Sequence, residues 1–300
     1  MSTTGKDIHF YAPGIRKFET SEFSGNSRQF VTLSVTGTQC ALMCDHCEAK
    51  VLRTMTPVAP DNFFEICKKL KEQGAHGVLL SGGCDSKGRV PLSSYLPELR
   101  KVNEELGLAL RIHTGLVSEE VVQGIADIKV DGVMLDIIGA RETIEKVYHL
   151  DLDVDEYERS LDLLARYEIP SVPHIVIGLH FGKFLGEWEA LEIIERHPRK
   201  AVVLVVLQPL YGTAMALTPS PELSEIGDFF SLCRERLFGT PLFLGCARPL
   251  GNMKREIDRM AVDCGMDGIA YPAEGIVSYA QVRGRVPHFQ NACCGVGWEE

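Results

Sequence analysis

Residues 30–47 read Phe30-Val-Thr-Leu-Ser-Val-Thr-Gly-Thr-Gln-Cys40-Ala-Leu-Met-Cys44-Asp-His-Cys47. The apolar run Phe30 to Val35 has the pattern of a buried strand, and it leads into a loop with cysteines separated by three and then two residues. Such a loop can wrap three thiolates round one corner of an iron–sulfur cluster and leave the fourth iron without a protein ligand. A zinc site would pair two Cys-x-x-Cys hooks or add histidines at set spacing, and no second Cys-x-x-Cys exists here.

Downstream of this loop, Asp61 caps a helix with Phe63, Ile66, Cys67 and Leu70 on one face and Gly74 at its end. A second apolar run, Gly77 to Ser81, then runs into Gly82, Gly83 and Cys84. The alternation continues with strands expected near Leu108–Ile112, Gly132–Asp136, Val172–Ile177, Val202–Leu207, Leu242–Cys246 and Gly268–Tyr271, eight with the first two. Helical stripes lie between them, including one over Pro221–Leu237 and one ending at Cys264. Eight strands alternating with amphipathic helices predict an α/β fold of the (β/α)8 barrel type, with the site built by loops after the strand C-termini.

The chain has 300 residues, 45% of them hydrophobic, enough for one barrel core. Residues 30–275 are expected to form the barrel, 1–29 an N-terminal extension covering one end, and 276–300 a cysteine-containing tail. A net charge of −10 gives no basic footprint for nucleic acid. No apolar run is long enough for a membrane span, and Met1 to Asp7 lacks a signal-peptide pattern, so a soluble cytoplasmic protein is expected. Ten cysteines in that setting point to metal ligation or core packing rather than disulfides.

Cys67, Cys233 and Cys264 fall on helix stripes and read as core. Cys84, Cys246, Cys293 and Cys294 fit no stripe. Cys246 and Arg248 stand two apart after a strand, and if that strand continues both face one side. Together with Cys84 at the mouth and Cys293 and Cys294 in the tail, they are candidates for a second, auxiliary cluster. All four thiols, three thiols with Arg248 or Ser81 as fourth ligand, and four unremarkable buried thiols are each compatible with the pattern. His113 and Asp136 close adjacent strands at the mouth, where a carboxylate can hold ribose hydroxyls or an ammonium group.

The cysteine spacing resembles the signature of the radical S-adenosylmethionine (SAM) enzymes. That resemblance implies a [4Fe–4S] cluster on Cys40, Cys44 and Cys47 whose open iron chelates SAM. It further implies that Gly82 and Gly83 match the segment binding the SAM amino group, and that His46 holds the position contacting adenine. Gly178, with Ile177, resembles the Gly-x-Ile-x-Gly segment beside adenine, Pro173 and His174 standing where the first glycine is missing. Residues 30–275 resemble the biotin synthase-like branch, Leu-Gly-Cys-Ala-Arg-Pro at 244–249 being similar to a segment whose arginine borders an auxiliary cluster.

Within that branch, His-Phe-Tyr-Ala-Pro at 9–13, Ser-Gly-Gly-Cys-Asp-Ser at 81–86 and the Cys-Cys tail resemble the archaeal-type two-subunit lipoyl synthase. The resemblance implies sulfur insertion into an octanoyl chain on a carrier protein, initiated by a 5′-deoxyadenosyl radical and supplied with sulfur by the auxiliary cluster. It also implies a second radical SAM subunit and a reductase such as ferredoxin or flavodoxin. The alternatives are a single-cluster radical SAM enzyme that rearranges or cleaves a small molecule, and a non-enzymatic iron–sulfur electron-transfer protein.

Overall fold

The apolar runs assemble into one parallel sheet, described by a computed structural model over residues 6–295. Residues 1–5 of the expected extension and 296–300 of the expected tail lie outside the described residues. All eight expected strands form: β2 (Phe30–Ser34), β4 (Gly77–Ser81), β5 (Ala109–His113), β6 (Gly132–Asp136), β7 (Ser171–Ile177), β8 (Val202–Val206), β9 (Leu242–Leu244) and β10 (Gly268–Ala270). Three more join them, β1 (Asp7–Tyr11), the two-residue β3 (Thr56–Pro57) and β11 (Val286–Gln290). The helices are α1 (Phe63–Glu72), α2 (Leu96–Leu106), α3 (Glu119–Ala126), α4 (Arg141–Tyr148), α5 (Asp155–Arg166), α6 (Glu187–Glu195), α7 (Leu223–Arg236), α8 (Asn252–Asp263) and α9 (Ile276–Val282).

The strand order is β11-β1-β10-β9-β8-β7-β6-β5-β4-β2-β3, with every ladder parallel. Parallel strands covered on both faces need apolar residues at nearly every position, and Val202–Val206 is buried throughout. The sheet curls into a partial barrel, because no ladder joins β11 to β3 among the described residues.

The segment between β1 and β2 fills that seam. Ala12 N–H donates to Gln290 O at 2.9 Å, Gly14 N–H donates to Phe30 O at 3.0 Å, and Asn291 bridges Asn26 and Gln29. Glu22 accepts the N–H groups of Gly275, Val277 and Ser278, which caps the start of α9 with a carboxylate. Within the expected N-terminal extension, Asp7–Tyr11 is a largely buried strand between β10 and β11. Among the described residues no helix is long and apolar enough to cross a membrane.

Candidate radical SAM centre

Strand β2 delivers the chain to the cysteine loop, which is held by its own hydrogen bonds before any ligand is considered. Ser34 Oγ donates to Gly37 O at 2.7 Å and Thr36 Oγ1 donates to Gln39 O at 2.8 Å. Cys44 O accepts the N–H groups of Cys47 at 3.0 Å and Glu48 at 2.8 Å, and Glu48 and Ala49 take left-handed backbone angles. That turn brings Cys47 back toward Cys44.

Two neighbouring loops clamp the cysteine loop from outside. Asp45 N–H donates to Val147 O at 3.0 Å, and His149 Nε2 lies 3.0 Å from Asp45 Oδ1. On the other side Ala214 N–H donates to Glu48 Oε1 at 2.7 Å, Met215 N–H donates to Asp45 O at 3.2 Å, and Lys50 Nζ donates to Gly212 O.

Gly82 and Gly83 follow β4 and lie directly against the cysteine loop. A Cβ at Gly83 would lie 2.0 Å from Gln39 O and 2.6 Å from Cys40 Cβ. Gly83 N–H donates to Thr36 Oγ1 at 2.7 Å, and Ala41 N–H donates to Cys84 O at 2.8 Å. The glycine pair thus sets the closeness of β4 to the cysteine loop.

The electrostatics favour thiolate in the loop. A hydrogen bond from Cys44 holds the Cys47 thiol well below its ordinary value, against the penalty of burial and with help from His46, while Cys44 is pushed up. Burial disfavours charge on His46, but its hydrogen bond to Cys47 and the nearby charges of Cys47 and Asp136 outweigh it and push His46 up. His46 Nδ1 and the Tyr148 hydroxyl are buried without hydrogen-bond partners, and their rings stand 5.4 Å apart.

Among the described residues no three His, Cys, Asp or Glu side chains meet as ligands of one metal ion. An iron–sulfur cluster asks for a different arrangement, each thiolate on its own iron. Three thiols, one already depressed, beside orphaned polar atoms fit that group.

Residues 34–196, more than half of the chain, match the radical SAM superfamily. The chain belongs to that superfamily. Its solved structural relatives include methylornithine synthase, with a TM-score of 0.61 and 14% identity, covering 95% of this chain and 84% of that one. The hydrogenase maturase HydG from Carboxydothermus hydrogenoformans has a TM-score of 0.62 and 15% identity, covering 95% of this chain and 68% of that one. SuiB of Streptococcus suis has a TM-score of 0.57 and 12% identity, covering 76% and 51%. These likenesses are of fold. No curated protein matches the chain.

Around the radical SAM loop, His113 and Asp136 end β5 and β6 with His113 Nε2 3.9 Å from Asp136 Oδ1. The His113 ring stands 5.8 Å from that of His174, whose burial pushes it down to about 4. The charge of Asp136 adds to the upward shifts of His46, Cys84 and Cys246.

Ile177 and Gly178, the expected ligand contacts, stand at the end of β7 and are held by the fold around them. Ile177 is fully buried and its carbonyl accepts from Leu207 N–H at 2.9 Å, while Gly178 N–H donates to Glu187 Oε1 at 2.7 Å. Gly178 is left-handed, and a Cβ there would lie 2.3 Å from Pro221. This segment is occupied by its own neighbours.

The four remaining thiols do not form one group. Cys84 lies beside the radical SAM loop, its carbonyl accepting from Ala41 N–H at 2.8 Å, and burial pushes its thiol up to about 12. Burial pushes Cys246, Cys293 and Cys294 up, and the Cys246 charge adds to the rise at both tail cysteines.

Strand β9 ends at Leu244, and the chain stays beside β8 as far as Ala247, Gly245 N–H donating to Leu204 O at 2.7 Å and Val206 N–H donating to Ala247 O at 3.0 Å. The Arg248 guanidinium, 1% exposed, forms a bidentate ion pair with Asp258 at 2.5 and 3.1 Å and donates to Gly245 O and Tyr271 O. A guanidinium so engaged has no lone pair to offer a metal. Ser81 Oγ donates to His113 O at 3.1 Å.

Sequence reasoning missed Asp258, Arg16 and Arg111. Arg111 had a readable signal, a lone cation in the apolar strand Leu108-Ala-Leu-Arg-Ile of a barrel whose strands are buried on both faces. Asp258 lies beside a helix stripe of ordinary appearance, and Arg16 in an irregular segment, so neither announced itself.

Proposed function

We propose that this radical SAM enzyme inserts sulfur into an octanoyl chain presented on a carrier protein, as one of two radical SAM subunits that share the task. The observation that carries the reading is the return of the tail into the barrel, where Gly295 O accepts from the buried Arg111 Nη2 and Cys293 and Cys294 are each 4% exposed. In this reading Cys84, beside Ala41 of the radical SAM loop, and Arg248, paired with Asp258, are not ligands of the auxiliary cluster at Cys246, Cys293 and Cys294.

When bound, a [4Fe–4S] cluster on Cys40, Cys44 and Cys47 supplies one-electron reductive cleavage of S-adenosylmethionine, and an auxiliary cluster on the second thiol group supplies sulfide. The protein's own part is positional. His46 and Tyr148 offer buried, unpartnered polar atoms beside the loop, and Asp136 offers a carboxylate at the mouth. The apolar barrel wall excludes water and competing hydrogen donors from the space between the two thiol groups.

A protein-borne substrate is supported by the rim. Tyr211 and Leu217, 96% and 98% exposed, stand on the loop that clamps the cysteine loop, and Met43 and Val51 are exposed on the cysteine side. Large apolar side chains grouped at a barrel mouth suit a docking protein better than a small solute. A ferredoxin or flavodoxin would supply the electron.

The test compares octanoylated lipoyl domain with free octanoate as the driver of 5′-deoxyadenosine formation, in the wild type and in Cys246→Ala. The carrier-bound chain is expected to work and free octanoate to fail, and Cys246→Ala is expected to keep SAM cleavage while forming no carbon–sulfur bond. Equal use of free octanoate, or behaviour of Cys246→Ala like the core variant Cys67→Ala in both assays, would overturn the reading.

A further inference from the structure

Arg111 is a buried charge that the reaction above does not use. Its strand neighbours Leu110 and Ile112 have the opposite parity and side. The Arg111 side chain points into the barrel, because Nη2 donates to Gly295 O and a Cβ on Gly295 would lie 3.3 Å from Phe243 on β9, across the barrel. The guanidinium is 0% exposed. Its Nε and Nη1 have no acceptor, and no carboxylate among the described residues forms an ion pair with it.

Other arginines in this region are provided for. Arg248 has its carboxylate and two carbonyls, and Arg16 lies over the Tyr271 ring at 4.2 Å. Among the described residues Arg111 alone leaves two buried guanidinium nitrogens idle. A cation without counter-charge in a dry interior is among the least favourable arrangements a fold can hold, and its idle donors ask for an acceptor that carries negative charge.

The neighbours of Arg111 indicate where that acceptor sits. Gly295, its one hydrogen-bond partner, follows Cys294 directly, and a Cβ on Gly295 would lie 3.6 Å from Arg111 Nη2, so the guanidinium sits against the buried Cys293-Cys294 turn. The Tyr11 hydroxyl is also buried without a hydrogen-bond partner, and its ring stands 5.8 Å from that of Phe243, the side chain nearest Gly295. An anionic group held by Cys246, Cys293 and Cys294 would lie beside both orphaned side chains.

We propose that Arg111 is the counter-charge and hydrogen-bond donor of a thiolate-ligated iron–sulfur cluster at Cys246, Cys293 and Cys294, with Nε and Nη1 directed at its sulfur atoms. The proposal rests on the auxiliary-cluster reading and adds a residue which that reading does not require. Arginine suits the task better than lysine, because its planar fork presents two donors in fixed directions and keeps its charge when buried.

The experiment uses [15N]arginine-labelled protein in which Cys40, Cys44 and Cys47 are all changed to alanine, reconstituted anaerobically with iron and sulfide and reduced with dithionite. Iron and sulfide are counted, and pulsed EPR reads any 15N coupling to the reduced cluster. The expected result is a residual cluster with a 15N coupling that persists in Arg16→Lys and disappears in Arg111→Lys. Loading of the first cluster in Arg111→Lys with the three motif cysteines restored reports that this variant is folded. A residual cluster without arginine coupling, or a coupling that survives Arg111→Lys or is lost in Arg16→Lys instead, overturns the role of Arg111 and leaves the cluster standing. Absence of any residual iron overturns the auxiliary cluster itself.

Discussion

Gly83 sets how closely β4 can approach the cysteine loop. The atoms that an added Cβ would meet, Gln39 O at 2.0 Å and Cys40 Cβ at 2.6 Å, belong to backbone or to the root of a side chain, so nothing flexible can step aside. Gly83→Ala is expected to displace Cys40 from its two partners and to lower iron loading and SAM cleavage by roughly tenfold or more, the scale of a misplaced site. Gly107→Ala is the control: Gly107 is left-handed with nothing within 4 Å, so that change should cost about 1–2 kcal/mol of stability and leave iron loading unchanged. Full iron in Gly83→Ala would show that the loop tolerates displacement. The three motif cysteines were legible because ligand spacing is local. The reason for Gly83 was not, since it lies in a contact with residues more than 40 positions earlier.

Elements were legible where periodicity is strong and obscure where a partner is far away in sequence. The fully buried Cys67 and Cys233 fall where helical stripes place them. Strand β1 escaped notice because its five residues give little periodicity and its ladders are with β10 and β11, near the other end of the chain. Strand β9 ends at Leu244, yet the next residues stay beside β8, with Gly245 N–H donating to Leu204 O at 2.7 Å and Ala247 O accepting from Val206 N–H at 3.0 Å, before the chain turns toward α8 at Arg248. The Arg248–Asp258 pair fixes that turn and with it Cys246. Asp258→Ala leaves a buried guanidinium without counter-charge and is expected to cost about 3–5 kcal/mol in urea unfolding, whereas Arg248→Met with Asp258→Leu should cost markedly less. If the single variant loses under about 1 kcal/mol, the pair does not hold the turn.

Across the whole molecule, the partial barrel keeps titratable groups inside that a closed apolar core would exclude, and His174 makes this measurable. It lies 7% exposed on β7, its Nδ1 2.9 Å from Val172 O, and burial pushes it down from 6.5 to about 4. Between those values the unfolded chain takes up a proton that the folded chain refuses. Stability contributed by neutral His174 is therefore present above pH 6.5 and is lost as the pH falls through about 4. The loss on going from pH 7 to pH 5 is about 2 kcal/mol. Buried Glu187 acts in the opposite sense: burial pushes its pKa up, so the folded state gains on acidification. The net charge of −10 also shrinks in acid, which relieves self-repulsion. The pH profile of the wild type alone mixes these contributions, but its difference from His174→Gln isolates one. Urea midpoints of cluster-free protein at pH 7 and pH 5 should show the wild type losing about 2 kcal/mol more than the variant. Parallel profiles would mean that His174 is protonated inside the fold, and that water or a ligand reaches the barrel interior at β7.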